Sequence, residues 1–156
     1  MILIIAIEAE MKLTTRTRYG TRLMIALALN FDKGSVFLKD ISKSQDISEK
    51  YLSQIVIPLR GAGLISSLRG AHGGYRLSKA PSEISLKDIM DVLEGDSSLV
   101  DCIKNPSGCA RAPTCVSHDI WSMVDEKIAE TLSSITLDAL VKMSHEKEDR
   151  AVMYYL

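Results

Sequence analysis

The chain has 156 residues, 46% of them apolar and only 5% aromatic, with a formal net charge of −1. That supplies one hydrophobic core and an appendage, while three cysteines, an odd number with no secretory leader, argue against a disulfide scaffold and for a reducing cytoplasm. The near-neutral total conceals a split: residues 11–80 carry twelve Lys/Arg against four Asp/Glu, whereas residues 81–156 carry seven against fourteen. A basic half joined to an acidic half fits a polyanion-binding head followed by a second functional region, or simply two solvated surfaces of opposite sign.

Residues 1–10, MILIIAIEAE, are apolar but about half the length of a membrane span and lack a basic leader region. Met11 opens a more ordinary start, MKLTTRTRYG, so residues 1–10 read as an upstream-start extension or a facultative arm. Residues 15–30 have helical periodicity, with Tyr19, Leu23, Ala26, Leu27 and Asn30 on one face and Arg16, Arg18 and Arg22 opposite. Asp32-Lys33-Gly34 is a turn, and residues 38–44 form a second, short helix followed by a tight connection at Gln45-Asp46-Ile47. Ser48 is a good N-cap for a third helix, in which Leu52, Ile55, Val56 and Leu59 face inward and Lys50, Tyr51, Ser53 and Gln54 lie off that face. Pro58 weakens its last turn, and Gly61 and Gly63 end it.

Two helices joined by such a turn make a helix-turn-helix whose second member is polar, as a DNA-reading helix must be. Leu64–Arg69 and Tyr75–Ser78 then read as strands around Gly70-Ala71-His72-Gly73-Gly74, a hairpin wing with Arg69 and His72 at its tip. The glycine cluster lacks both nucleotide-binding spacings and leads into a strand, which argues against a phosphate loop. Beyond Pro81, Ser85 and Asp88 have capping-box spacing for a short helix whose Leu86, Ile89, Met90 and Leu93 face inward. Residues 94–98 are a turn.

Cys102, Cys109, Cys115 and His118 follow at spacings C-x6-C-x5-C-x2-H. Three thiols and an imidazole are donors for an iron–sulfur cluster or for zinc, although gaps this long suit zinc poorly. Unligated, reduced cysteines are the third possibility. His72 and His145 have no cysteine nearby in sequence and are read as non-ligands. Pro106, Gly108 and Pro113 are expected to keep this loop irregular. Past His118 a long helix to about Leu132 carries an apolar stripe of Ile120, Trp121, Val124, Ile128 and Leu132, suited to a second copy of the chain or to intrachain packing. Thr136 caps a last, short helix containing Leu137, Leu140 and Val141.

MKLTTRTRYGTRLMIALAL, the segment ISEKYLSQIVIPLRGAGLISSLRGAHGGYRLSK, and CVSHDIW with ITLDALV together resemble the Rrf2 family of bacterial winged-helix regulators over residues 11–145. The resemblance implies a homodimer with winged-helix heads and a long dimerising helix. In many members three cysteines from such a loop hold an iron–sulfur cluster, and in one branch of them a histidine placed like His118 completes the set. Here six residues separate Cys102 and Cys109 where those members have five. Arg18 occupies the place of the acidic ligand found in nitric-oxide-sensing members.

The expected fold is mainly α with a small β-hairpin wing, a winged helix-turn-helix plus a long C-terminal dimerisation helix. Residues 11–80 form the DNA-binding head, 81–101 a connecting helix and turn, 102–118 the ligand loop, 119–145 the dimerisation helices and 146–156 a tail. The expected partners are double-stranded DNA with a pseudo-palindromic operator and a second copy of the chain, with no membrane and no small-molecule substrate. Arg16 and Arg18 are placed near phosphates, Ser48, Lys50, Tyr51 and Gln54 on the reading helix, and Arg69 and His72 in the wing. Gln54 suits a bidentate adenine contact and Arg69 a narrow minor groove. The expected cofactor is a two-iron cluster, a four-iron one being compatible with the same ligands. Cluster binding is expected to order the loop and so alter DNA preference. Alternatives are a regulator with structural zinc or no metal that senses through a partner protein, and a small iron–sulfur electron carrier. No nucleophile–base pair or paired carboxylate suggests an enzyme.

Overall fold

The computed structural model describes residues 13–95 and 98–154, so the reading of residues 1–10 as an extension lies outside the described residues, as do the last two positions of the tail. The first helix, α1 (Thr15–Leu29), begins at Thr14, whose hydroxyl accepts from the Thr17 amide at 3.3 Å, and buries Leu23, Met24, Ala26, Leu27 and Ala28. Next, α2 (Leu38–Gln45) ends at Asp46 in the left-handed region with φ 51°, which turns the chain sharply into α3 (Glu49–Gly61). Aspartate tolerates this conformation better than most residues, and the Ile47 amide closes the turn on the Ser42 carbonyl at 3.2 Å. Ser48 caps α3 as expected, its hydroxyl accepting from the Tyr51 amide at 3.2 Å. Pro58 does not end α3; the helix runs on to Gly61, with the Ala62 amide bonded to the Pro58 carbonyl at 2.9 Å.

The wing is an antiparallel pair, β1 (Ile65–Leu68) and β2 (Gly74–Leu77), in the register Ile65 opposite Leu77 and Leu68 opposite Gly74. It has a third participant that periodicity does not show. Val36, between α1 and α2, exchanges both backbone hydrogen bonds with Tyr75 at 2.8 Å each. Gly74 makes this approach possible: its φ is +121°, and a Cβ there would lie 2.6 Å from the Val36 carbonyl oxygen.

After the wing, α4 (Leu86–Glu94) starts at the expected capping box, Ser85 and Asp88 bonding each other's backbone amides at 2.8 and 3.1 Å. It packs on α1 where Gly20 leaves room for Leu93. Leu23, Leu52, Ile55, Leu59, Ile89 and Leu93 form one core between these helices.

A one-turn helix, α5 (Asp101–Lys104), and two 3-10 turns at Pro106–Gly108 and Ala112–Thr114 make up the ligand loop, which is therefore less irregular than the prolines suggest. Each proline sits in the first turn of its own short helix, where its missing N–H costs nothing. The long helix α6 (Val116–Ser134) starts two residues before His118 rather than after it. None of its residues is buried, and it touches the head chiefly through α4.

The last helix, α7 (Leu137–Tyr154), is eighteen residues long, not short. Its start is bolted to the head: Leu137 is fully buried in the core, its amide bonds the Ile84 carbonyl at 2.9 Å, and the Leu86 amide bonds the Ile135 carbonyl at 2.7 Å. No helix among the described residues is long and apolar enough to cross a membrane.

Candidate nucleic-acid interface and ligand loop

The outward face of α3 presents Lys50, Ser53, Gln54, Ile57 and Arg60, all exposed, while Leu52, Ile55, Val56 and Leu59 fill the core behind them. Ser48 is exposed at the helix start, where free amides and the positive end of the helix dipole favour a phosphate. Tyr51 sits differently from its neighbours. Its ring is half-buried, edge-on to Tyr19 at 5.8 Å, and Arg22 lies 5.6 Å from the Tyr19 ring centre. Arg22 also bonds the Gln45 side-chain oxygen at 3.2 Å and the Gln45 carbonyl, so it ties α1 to the α2–α3 turn. Tyr51 is thus a joint between α1 and α3 as much as a surface group.

Arg16 and Arg18 are exposed on the first turn of α1. That turn is anchored from α4. Glu94 Oε1 accepts from the Thr17 hydroxyl at 2.5 Å, from the Thr14 amide at 3.3 Å and from the Thr14 hydroxyl. Burial alone would raise the Glu94 pKa, but these hydrogen bonds, with Arg16 nearby, hold it below its ordinary value of 4.5.

Arg69 and His72 are exposed at the wing tip. The tip is pinned from the other side by Ser35, whose hydroxyl lies 2.8 Å from both the His72 and the Gly73 carbonyls. Between wing and helices, Lys39, Ser53, Arg60 and Arg69 line an open cleft of about 550 Å³. Lys39, Ile57 and Arg60 therefore join the face predicted from sequence. Arg60 was detectable as the seventh residue after Ser53, two turns along the same face, whereas Lys39 depends on how α2 meets the wing.

In the ligand loop, Cys102 lies on α5, Cys109 follows the first 3-10 turn, Cys115 is the residue before α6, and His118 is in its first turn. All four are partly buried, and all three thiols are free. His118 Nδ1 stands 3.5 Å from Cys102 Sγ, and His118 and Cys109 line one cleft of about 570 Å³. Among the described residues no three His, Cys, Asp or Glu side chains converge on one point as a metal would require. The donor set suits an iron–sulfur cluster, with three soft thiols and one imidazole on a loop that already brings its two ends into contact through Cys102 and His118.

A helix-turn-helix with an exposed polar second helix, flanked by a pinned wing with a basic tip, defines a winged-helix DNA-binding protein. The family model Rrf2, described as an iron-dependent transcriptional regulator, matches residues 13–143. The HTH-type transcriptional regulator CymR of Bacillus subtilis is 38% identical over 146 residues, covering 94% of this chain and 100% of CymR. The solved structure of that protein, described as the global cysteine regulator of B. subtilis, superposes with a TM-score of 0.73 at 39% identity, covering 85% of this chain and 97% of that one. T. potens IscR superposes with a TM-score of 0.71, also at 39% identity, covering 87% and 90%. The chain belongs to the Rrf2 family: it is a DNA-binding transcriptional regulator and not an enzyme. IscR of Pectobacterium carotovorum is 37% identical over 131 residues, covering 84% of this chain and 79% of that protein.

Proposed function

We propose that this regulator works in the cytoplasm as a homodimer on a pseudo-palindromic operator, and that the ligand loop adjusts its DNA preference. Cys102, Cys109, Cys115 and His118 would hold an iron–sulfur cluster, a two-iron form first, with a four-iron form admitted by the same ligands. The carrying observation is the 3.5 Å approach of His118 Nδ1 to Cys102 Sγ, which joins the start of the loop to the first turn of α6. When bound, such a cluster supplies an oxidation-sensitive group whose attachment depends on deprotonated thiols and a neutral imidazole. Cys102 and His118 would then couple the order of the loop to the direction of α6. The apolar residues of α6, Ile120, Trp121, Val124 and Ile128, are exposed, as a face meeting a second copy would be in one chain alone.

Anaerobic purification with absorption spectra and iron and sulfide analysis tests the cluster. Duplexes selected from a random pool test the coupling, by comparing the protein as isolated with a Cys102→Ala/Cys109→Ala/Cys115→Ala variant. Visible absorption that the variant lacks, together with a changed sequence preference, supports the reading. Identical affinity and preference for the two proteins sink the sensing role.

A second reading is a winged-helix regulator with structural zinc or no metal, whose signal arrives through a partner protein. It is favoured by the match to CymR along its entire length and by the lack of convergence of three donors among the described residues. A colourless protein after anaerobic purification, with DNA binding intact, selects this reading.

A further inference from the structure

We propose that Ile57 reads thymine through its C5-methyl group, which makes it a specificity-determining residue. The proposal rests on α3 being the helix that enters the major groove. Ile57 is 62% exposed on α3, whose four core-facing residues, Leu52, Ile55, Val56 and Leu59, are all buried without it. At 100° per residue, Ile57 lies about 20° around the helix from Lys50 and between Ser53 and Gln54, so it occupies the middle of the outward face. It is the only large apolar residue exposed on that helix, and its neighbours there are charged or polar. A lone apolar side chain among Lys50, Ser53, Gln54 and Arg60 is too small a patch for protein docking, and the positive charge around it complements a polyanion.

The major groove offers one apolar feature among its hydrogen-bonding edges, the thymine methyl. Isoleucine suits it because it is β-branched, so in a helix its χ1 is nearly fixed and its methyls point in one direction. The contact therefore costs little side-chain entropy on binding. Ile57 is about 4.5 Å along the axis from Gln54, so its thymine should lie one or two base pairs from the base that Gln54 reads.

The probe is the duplex that the full-length protein enriches from a random pool, with each thymine replaced in turn by deoxyuridine, which removes only the methyl. For the unaltered protein, uracil at one symmetry-related pair of positions is expected to weaken binding about four-fold singly and about fifteen-fold together, the effect of leaving one methyl unburied per half-site. Ile57→Ala should bind the thymine duplex correspondingly less well and show no difference between thymine and uracil. Ile57→Val, which keeps the branch, should retain most of the difference. Circular dichroism should show both variants folded, since the residue is exposed.

Indifference of the unaltered protein to every uracil, or a uracil effect that persists in Ile57→Ala, overturns the proposal while leaving α3 as the reading helix if Gln54→Ala still changes the enriched sequence. A pool that yields no preferred sequence, or one that Gln54→Ala does not alter, overturns both.

Discussion

Replacing Glu94 by alanine should destabilise the head by about 2 kcal/mol, within a range of roughly 1–3, because it orphans a buried hydroxyl. Thr17 is buried, 2% exposed, and its hydroxyl donates to Glu94 at 2.5 Å. Without the carboxylate that donor loses its partner where water cannot easily replace it. The two donors of Thr14 lie at the exposed end of the clamp, where water can take over, and add little. For a chain of this length the loss corresponds to a fall in Tm of roughly 4–8 °C. Thr17→Val provides the control, since it removes the donor and keeps the shape. In a Thr17→Val background, Glu94→Ala should cost about 2 kcal/mol less than in the unaltered protein, because no donor is left orphaned. Urea unfolding of the four proteins, followed by circular dichroism, measures the cycle. An equal cost of Glu94→Ala in both backgrounds refutes the clamp.

The same carboxylate gives a pH dependence. Its pKa is lowered in the folded state, so its contribution is fully present above the ordinary value of 4.5 and disappears as pH falls through the lowered one. The stability difference between the unaltered protein and Glu94→Gln, followed by urea unfolding, should therefore be constant down to about pH 5 and shrink below that. Gly20→Ala places a Cβ against the Leu93 side chain at the α1–α4 crossing and should cost about 1–2 kcal/mol, with a smaller penalty in a Leu93→Ala background; thermal melts decide it. Gly74→Ala strains a φ of +121° and drives a Cβ onto the Val36 carbonyl, so hydrogen exchange should show lost protection at the Val36 and Tyr75 amides, with weaker DNA binding.

Features whose partners lie within a few residues could be read directly. The Ser48 cap, the Ser85–Asp88 box and the glycine-rich wing are all of this kind, and the structure forms each one. The contacts that aim the site are long-range and leave no local trace. Ser35 holds a wing tip 37 and 38 residues away, and Glu94 grips threonines 77 and 80 residues earlier. The extent of α7 escaped for another reason. Its second half has no apolar stripe for a periodicity to detect and is held by pairs such as Arg150–Glu146, with Lys142–Asp138 in the first half, which support a helix on a solvated surface. In the ligand loop the donors could be listed from spacing, but their approach could not: only folding shows that Cys102 meets His118 and that, among the described residues, no third donor converges with them.

The two ends of the segment that carries the ligand loop are both tied to the head, which constrains how the loop would act under the proposed function. At one end Glu94, the last residue of α4, is bonded to the first turn of α1, close to Arg16 and Arg18. At the other, Ile135 and Leu137 are hydrogen-bonded to Leu86 and Ile84, and Leu137 is buried in the core. Between these anchors α6 buries none of its residues and leans on α4 and α5, with the Leu99 amide bonded to Asp125 at 3.1 Å. If the loop acts as proposed, a change in the order of residues 102–118 would have two outlets: the tilt of α6 between its anchors, and the pull on Glu94 at the end of α4. The first would move one head relative to another in a dimer, and the second would move the α1 arginines within a single head. Glu94→Ala separates them, because it cuts the second outlet and leaves α6 untouched. If DNA preference still responds to the cysteine substitutions in that background, the signal travels through α6.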